Sequence, residues 1–287
     1  MEKTIIYYIQ DHKEEIMRDL LKFVQQEAST SDIEALGKVR EVLMAIIQER
    51  QGITPQVIET PQGHDVVTFE YGEGEKAILV GHYDTVHPIG TLTTYEEEGK
   101  LFGPGVYDMK FGIISGIWCV KALQELNIPL NHKLVFVFNG DEEKGSSESK
   151  EIISNYAEGA KYAFILEPAN ERGYVKTGRK GIAKFKVECF GKATHAGNNH
   201  AEGINAMEEL ANELIAFQKL TDYAKGTTVN CGVMRGGSVS NVVPAYASME
   251  IDTRFKSFEE RQRLMDAIEH MPVSVEGASR KVTLVGG

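Results

Sequence analysis

Apolar residues recur at helical spacing over residues 3 to 26, where Ile5, Ile6, Ile9, Ile16, Met17, Leu20, Leu21 and Val24 fall near one stripe. Residues 32 to 49 repeat the pattern with Ile33, Leu36, Val39, Val42, Leu43 and Ile46. Two amphipathic helices are predicted, with Thr30-Ser31-Asp32 supplying N-cap chemistry for the second. The period then shortens. Residues 56 to 59 and 66 to 70 read as β-rich runs, and 76 to 80 and 134 to 138 are apolar enough to be strands buried on both faces. Between these last two lie a polar loop, 90 to 105, and a stretch from 112 to 126 that is apolar almost all round, as a helix packed between a sheet and other helices should be. Trp118 in that helix reads as core packing. A helix over about 147 to 156 and a strand over 162 to 166 follow. Buried strands separated by a helix suggest a sheet covered on both faces, with ligands gathering outside the carboxyl ends of its strands.

After Thr177-Gly178-Arg179-Lys180-Gly181 the pattern changes. A half-exposed strand (182 to 190), an amphipathic helix (203 to 219), strands at about 227 to 234 and 245 to 254, a helix (257 to 270) and a strand (280 to 285) give the order β-α-β-β-α-β. That is a ferredoxin-like α+β unit, complete in itself. The fold class expected is therefore α/β with a second, α+β domain, divided as residues 1–179 and 180–287.

Composition narrows the function. The chain has 287 residues, 42% of them hydrophobic and 25% charged, and a net charge of -11, which argues against a nucleic-acid partner. No apolar run approaches the roughly 20 residues of a membrane helix, and the start is too soon acidic for a secretory signal. A cytoplasmic protein with no membrane partner is expected. Cys119, Cys189 and Cys231 are widely spaced among apolar neighbours and read as buried, reduced thiols.

The candidate chemistry sits where the strands end. His82 follows the run ending at Val80, and Asp84, two residues further, can fix the tautomer of its ring, as a divalent metal requires. Asp108, Glu143 and Glu167 each follow a glycine-rich or strand segment. One histidine and three carboxylates suit two divalent ions roughly 3.5–4 Å apart that clamp a water nucleophile. With Glu143 as ligand, its neighbour Glu142 is free to act as general base. In the second domain His195 lies in a small-residue turn, and Asn241 and Arg254 offer an amide and a guanidinium suited to a substrate carboxylate. Taken singly, His195 reads as a surface residue, Asn241 as a turn residue and Arg254 as an exposed charge. His87 reads as a loop residue, and an acidic calcium module is disfavoured because imidazole is a poor calcium ligand and no EF-hand spacing occurs.

Several stretches in order resemble the M20 family of zinc exopeptidases: Gly81-His82-Tyr83-Asp84-Thr85-Val86, Gly103-Pro104-Gly105 through Asp108-Met109-Lys110, Asp141-Glu142-Glu143-Lys144-Gly145-Ser146, Leu166-Glu167-Pro168, Gly191 through Gly197, Ser240-Asn241-Val242-Val243-Pro244 and Asp252-Thr253-Arg254. The wording of the first and third is most similar to the glutamate carboxypeptidase branch. The resemblance implies a mixed-sheet catalytic domain and a lid and dimerisation domain, residues 180–287, that makes a homodimer. It implies two zinc ions, Mn²⁺ or Co²⁺ being alternatives: His82, Asp108 and Glu167 would bind one, with Asp108 bridging, and Glu143 the other. Asp84 would orient His82, Glu142 would be the base, His195 would stabilise the oxyanion across the dimer, and Asn241 and Arg254 would bind the substrate carboxylate.

The resemblance also implies a return to the catalytic domain after the lid, bringing one more metal-binding histidine. The sequence stops at the last lid strand, so that segment is expected to be absent. Two readings follow: a metal-dependent hydrolase that removes a C-terminal, acidic residue or cleaves an N-acyl amino acid, or an impaired relative that folds, dimerises and binds at most one metal or a small carboxylate.

Overall fold

A computed structural model of the chain, describing residues 2–170 and 172–286, divides it into two units, the first running to Tyr174 and the second starting at Val175. The first apolar stripe folds as two helices, α1 (Glu2–Asp11) and α2 (Lys13–Gln25), and not as the one expected. They break at His12, whose ring stacks on Tyr8 at 4.0 Å and whose Nδ1 lies 2.8 Å from the Tyr8 carbonyl. Helix α3 (Ile33–Gln51) begins at Asp32, which accepts the Ala35 N–H, and ends at Gly52 in the left-handed region with φ 67°.

The strands are β1 (Gln56–Ile58), β2 (Val66–Tyr71), β3 (Glu75–His82), a small hairpin β4 (Tyr95–Glu97) and β5 (Lys100–Phe102), then β6 (His132–Asn139) and β7 (Tyr162–Ile165). The hairpin lies in the segment expected to be a loop. Its turn, Glu98-Gly99, has φ of 50° and 72°, and Tyr95 stacks on Phe102 at 4.9 Å. Glutamate at a position that favours Asn, Asp or Gly hides the turn from a sequence reading. The main sheet has the order β1-β2-β6-β3-β7, antiparallel from β1 to β6 and parallel across β6, β3 and β7. Phe69, Phe136, Leu79 and Phe164 lie in register on one of its faces. Helix α4 (Phe111–Glu125) packs on that core through Ile113, Ile114, Ile117 and Trp118. Burying side chains of this size contributes roughly 1.5–3 kcal/mol each. Asp19 joins three helices, accepting from Arg50 Nε at 2.7 Å and from Trp118 Nε1 at 2.9 Å. The opposite face, with Val135 and Val137, packs on α5 (Lys150–Ala157).

The second unit comprises β8 (Gly181–Phe190), α6 (Ala206–Gln218), β9 (Thr228–Gly236), β10 (Tyr246–Phe255), α7 (Phe258–Glu269) and β11 (Ser279–Gly286). Its antiparallel sheet has the order β11-β8-β10-β9, the ferredoxin-like arrangement. Alternate residues of β8, namely Ala183, Phe185, Val187 and Cys189, meet Leu210, Phe217, Leu264 and Ile268 of the helices. The three cysteines are unpaired. Cys189 is buried, Cys231 half-buried, and Cys119 exposed, the last contrary to expectation, on a stripe of α4 that it shares with exposed Phe111 and Ser115. Among the described residues no helix is long and apolar enough to cross a membrane.

Candidate metal centre

Because β3, β6 and β7 are parallel, their carboxyl ends share one edge, and each delivers a polar side chain there. His82 is the last residue of β3 and lies opposite Asn139, the last of β6. The Tyr83 N–H donates to the Asn139 carbonyl at 2.9 Å, continuing the pairing past the strand end. Three residues beyond β6, Glu142 and Glu143 enter a single 3₁₀ turn that closes at Gly145 with φ 88°. Asp141 holds this turn, its carboxylate accepting from Asn139 Nδ2, Ser149 Oγ and the Glu148 and Ser149 N–H groups. Burial would raise its pKa, but those bonds outweigh it and the carboxyl is held low. Gly140 leaves space for Tyr83, since a Cβ there would stand 2.7 Å from the phenol oxygen. Glu167 follows β7, anchored by the Leu166 N–H to the Val80 carbonyl at 2.9 Å.

Asp108 arrives from outside the sheet, in the tight winding Val106–Lys110 that leads into α4. The winding is fastened by Lys110, which is fully buried and donates from Nζ to the Phe23 and Gln26 carbonyls at 3.0 and 2.8 Å at the end of α2. Burial, only partly opposed by Glu27, lowers its pKa to about 7. Nothing in the sequence signalled this role, because the carbonyls it serves lie 84 or more positions away.

These elements bring four carboxylates around one imidazole. His82 Nε2 lies 3.2 Å from Asp108 Oδ1, 3.5 Å from Glu167 Oε1 and 3.9 Å from Glu142 Oε2. Two trios, His82 with Asp108 and Glu143 and His82 with Glu142 and Glu167, each have their ligand atoms within 4.8 Å of one another. Behind the ring, Nδ1 is 3.3 Å from Asp84 Oδ1. Asp84 is buried and also accepts the Glu142 and Glu143 N–H groups at 3.3 and 3.2 Å.

The donor set fits a divalent cation. Burial alone would lower the pKa of His82, but hydrogen bonds to Asp84 and Glu167 and the charges of Asp84 and Glu142 lift it to about 11. The carboxyls of Glu142 and Glu143 are raised by burial and by neighbouring carboxylates, with His82 opposing. A site that draws a proton onto its imidazole and resists ionising its carboxyls lacks positive charge, and imidazole with carboxylates is a transition-metal donor set.

The three candidates in the second unit stand as follows. His195 is exposed, and its Nδ1 accepts the Gly197 and Asn198 N–H groups at 3.0 and 3.2 Å, which leaves the proton on Nε2. Asn241 is exposed and its backbone carbonyl accepts the Ala196 N–H at 2.9 Å, so the His195 and Asn241 turns are paired. Arg254 is held by Asp252 through Nε and Nη2 at 2.7 and 3.1 Å, a partner that the sequence reading missed.

A mixed α/β unit with a histidine–carboxylate cluster at its strand ends, joined to a ferredoxin-like unit, is the fold of the M20 peptidases. The family model described as a peptidase dimerisation domain matches residues 177–275, and that of peptidase family M28 matches 66–179. Carboxypeptidase G2 of Pseudomonas sp. (strain RS-16) is 31% identical over 267 residues, covering 90% of this chain and 64% of that protein. Succinyl-diaminopimelate desuccinylase of Rickettsia canadensis is 27% identical over 220 residues, covering 69% and 57%. The chain thus spans about three-fifths of the length of these curated relatives. Among solved structures, a tripeptidase from Staphylococcus aureus superposes with a TM-score of 0.73 at 21% identity, covering 94% of this chain and 74% of that one. A Bacillus subtilis protein described as a dinuclear metal binding peptidase of the M20 family gives 0.63 at 18%, covering 95% and 74%. Both units of the chain are thus similar to those of M20 peptidases, in sequence and in fold.

Proposed function

We propose that the chain carries the metal-binding and dimerisation units of a metal-dependent hydrolase that removes a C-terminal, acidic residue or cleaves the amide of an N-acyl amino acid. The observation that supports this most is the convergence of Asp108, Glu142, Glu143 and Glu167 on His82 at the carboxyl edge of the sheet. The names of the two relatives, a carboxypeptidase and a desuccinylase, support the two substrate types. His82, Asp108 and Glu167 would hold one zinc, with Asp108 shared, and Glu143 a second; Mn²⁺ or Co²⁺ fits the same donors. Bound metal supplies Lewis acidity and a lowered pKa for water.

The chain's own residues do the rest. Asp84 keeps the His82 ring oriented, so that Nε2 faces the carboxylates. Glu142, whose carboxyl is raised from its ordinary value, takes a proton from water and returns it to the leaving nitrogen. In a homodimer formed through the second unit, His195 offers its Nε2–H to the developing oxyanion of the partner's site. Asn241 and Arg254 bind the substrate carboxylate, Arg254 through Nη1, which takes no part in the Asp252 pair. We place the protein in the cytoplasm, where its unpaired cysteines stay reduced.

The test is metal content by mass spectrometry alongside hydrolysis of a glutamate-terminated peptide and of an N-succinyl amino acid. Roughly two metals per chain, as a two-metal site needs, with turnover of either substrate, is expected. Zinc-loaded protein that turns over neither rejects the hydrolase reading in favour of a binding role.

A further inference from the structure

Thr30 belongs to the triplet that reads from the sequence as helix-cap chemistry, yet in the fold Asp32 alone caps α3 and Thr30 turns inward. Its Oγ1 lies 2.7 Å from Asp84 Oδ2 and 3.2 Å from the Thr85 carbonyl. A hydroxyl has one proton, and the shorter contact to the charged acceptor takes it. Its backbone is fixed as well. The Thr30 N–H donates to the Thr85 carbonyl at 3.1 Å, the Thr85 N–H to the Ala28 carbonyl at 2.8 Å, and the Thr30 carbonyl meets Nε2 of buried His64 at 3.0 Å. The hydroxyl is therefore presented to Asp84 from a rigid mount.

The groups around the Asp84 carboxylate differ in origin. His82 Nδ1, 3.3 Å from Oδ1 and 3.1 Å from the Asp84 backbone carbonyl, lies on the strand end that Asp84 itself follows, and the Glu142 and Glu143 N–H groups belong to the acidic turn. The fourth comes from the segment between α2 and α3, 54 residues away in sequence. Without it, the Glu143 N–H at 3.2 Å is what Oδ2 keeps among the described residues. A buried carboxylate with an unfilled position turns toward other donors, and both groups it aims, the His82 ring and the acidic turn, move with it.

We propose that Thr30 is a positioning residue of the metal centre, holding Asp84 so that His82 and the Glu142–Glu143 turn share one geometry. The inference rests on the metal-site reading above, but the hydrogen bonds it invokes exist without metal. Its test is amide hydrogen exchange of the metal-free full chain in wild type, Thr30→Val and Thr30→Ser, followed by zinc affinity in a chelator competition.

In Thr30→Val the Glu142 and Glu143 amides should exchange at least about tenfold faster while the amides of β6 keep their protection. Zinc affinity should fall by up to roughly tenfold, the low end of the cost of losing a direct outer partner of a ligand, since Thr30 acts through Asp84. Thr30→Ser should restore both, and it also controls for folding, since it keeps the hydroxyl and sheds only a methyl. Unchanged exchange at Glu142 and Glu143 in Thr30→Val, or a serine variant that behaves as valine does, overturns the proposal. Faster exchange in a protein whose wild type binds no zinc upholds the positioning role and removes the metal reading instead.

Discussion

Asp84 stands 3.3 Å behind His82 Nδ1, while the other ring nitrogen of His82 stands 3.2 Å from Asp108. The ring is thus clamped between a buried carboxylate that orients it and a cluster of more exposed ones that it helps to assemble. Replacing Asp84 by Asn preserves shape and the backbone carbonyl that His82 Nδ1 meets at 3.1 Å, and removes the carboxylate charge beside the ring. Zinc affinity should drop roughly ten- to a hundredfold, read by competition with a chromogenic chelator; affinity equal to wild type would show that Asp84 does not tune His82.

The mechanism proposed gives the adjacent Glu142 and Glu143 different roles, base and ligand. Glu142→Gln should cut kcat by about 10²- to 10⁴-fold, the usual weight of a general base, with metal content unchanged. Glu143→Gln should reduce metal content itself. Since Glu142 lies in a trio with His82 and Glu167, loss of metal in Glu142→Gln would make it a ligand and leave the base unassigned.

The second unit buries a charged trio whose pH behaviour follows from its geometry. Glu213 of α6 pairs with Arg280 of β11 at 2.8 Å, and both are nearly buried. Burial raises the Glu213 carboxyl to about 7, with Glu209 adding to the rise and Arg280 opposing it; Cys189 is the remaining titratable neighbour. A carboxyl whose folded pKa lies above its unfolded one binds its proton more tightly when folded. Stability is therefore highest below about 4.5 and is lost as pH rises through about 7. At about 1.4 kcal/mol per pKa unit, the swing is on the order of 3 kcal/mol. Thermal unfolding of wild type and Glu213→Gln between pH 5 and 8 should show a decline in wild type that the glutamine variant lacks, and parallel curves would refute the assignment.

Strand β7 ends the main sheet with apolar side chains on both faces: Phe164 and Ile165 are 52% and 58% exposed. An edge of this kind templates further pairing. Ile165→Lys should reduce self-association at high concentration, seen as lower light scattering, and change stability by no more than about 0.5 kcal/mol. Scattering that does not fall would place the association elsewhere.

Sequence periodicity sufficed wherever an element buries one stripe or alternates cleanly. Helix α3, strand β8 and the β-α-β-β-α-β order of the second unit follow from local patterns, because the spacing of buried side chains is a property of the chain's own repeat. It failed at His12, where a contact with Tyr8 ends a helix that the apolar stripe would continue. It failed again at Glu98-Gly99, where the turn needs a left-handed glutamate.

The sequence by itself determined the inventory of the site: a histidine and carboxylates placed just beyond apolar runs, each in a recognisable setting. What only the tertiary structure decided is that these residues meet. Parallel pairing of β6, β3 and β7 brings three strand ends to one edge, the winding before α4 adds Asp108, and Lys110 and Thr30 reach across 84 and 54 positions to fix the parts in place. Such contacts depend on strand order and register, which are settled by the packing of the whole sheet against its helices and leave no trace in the spacing of neighbouring residues.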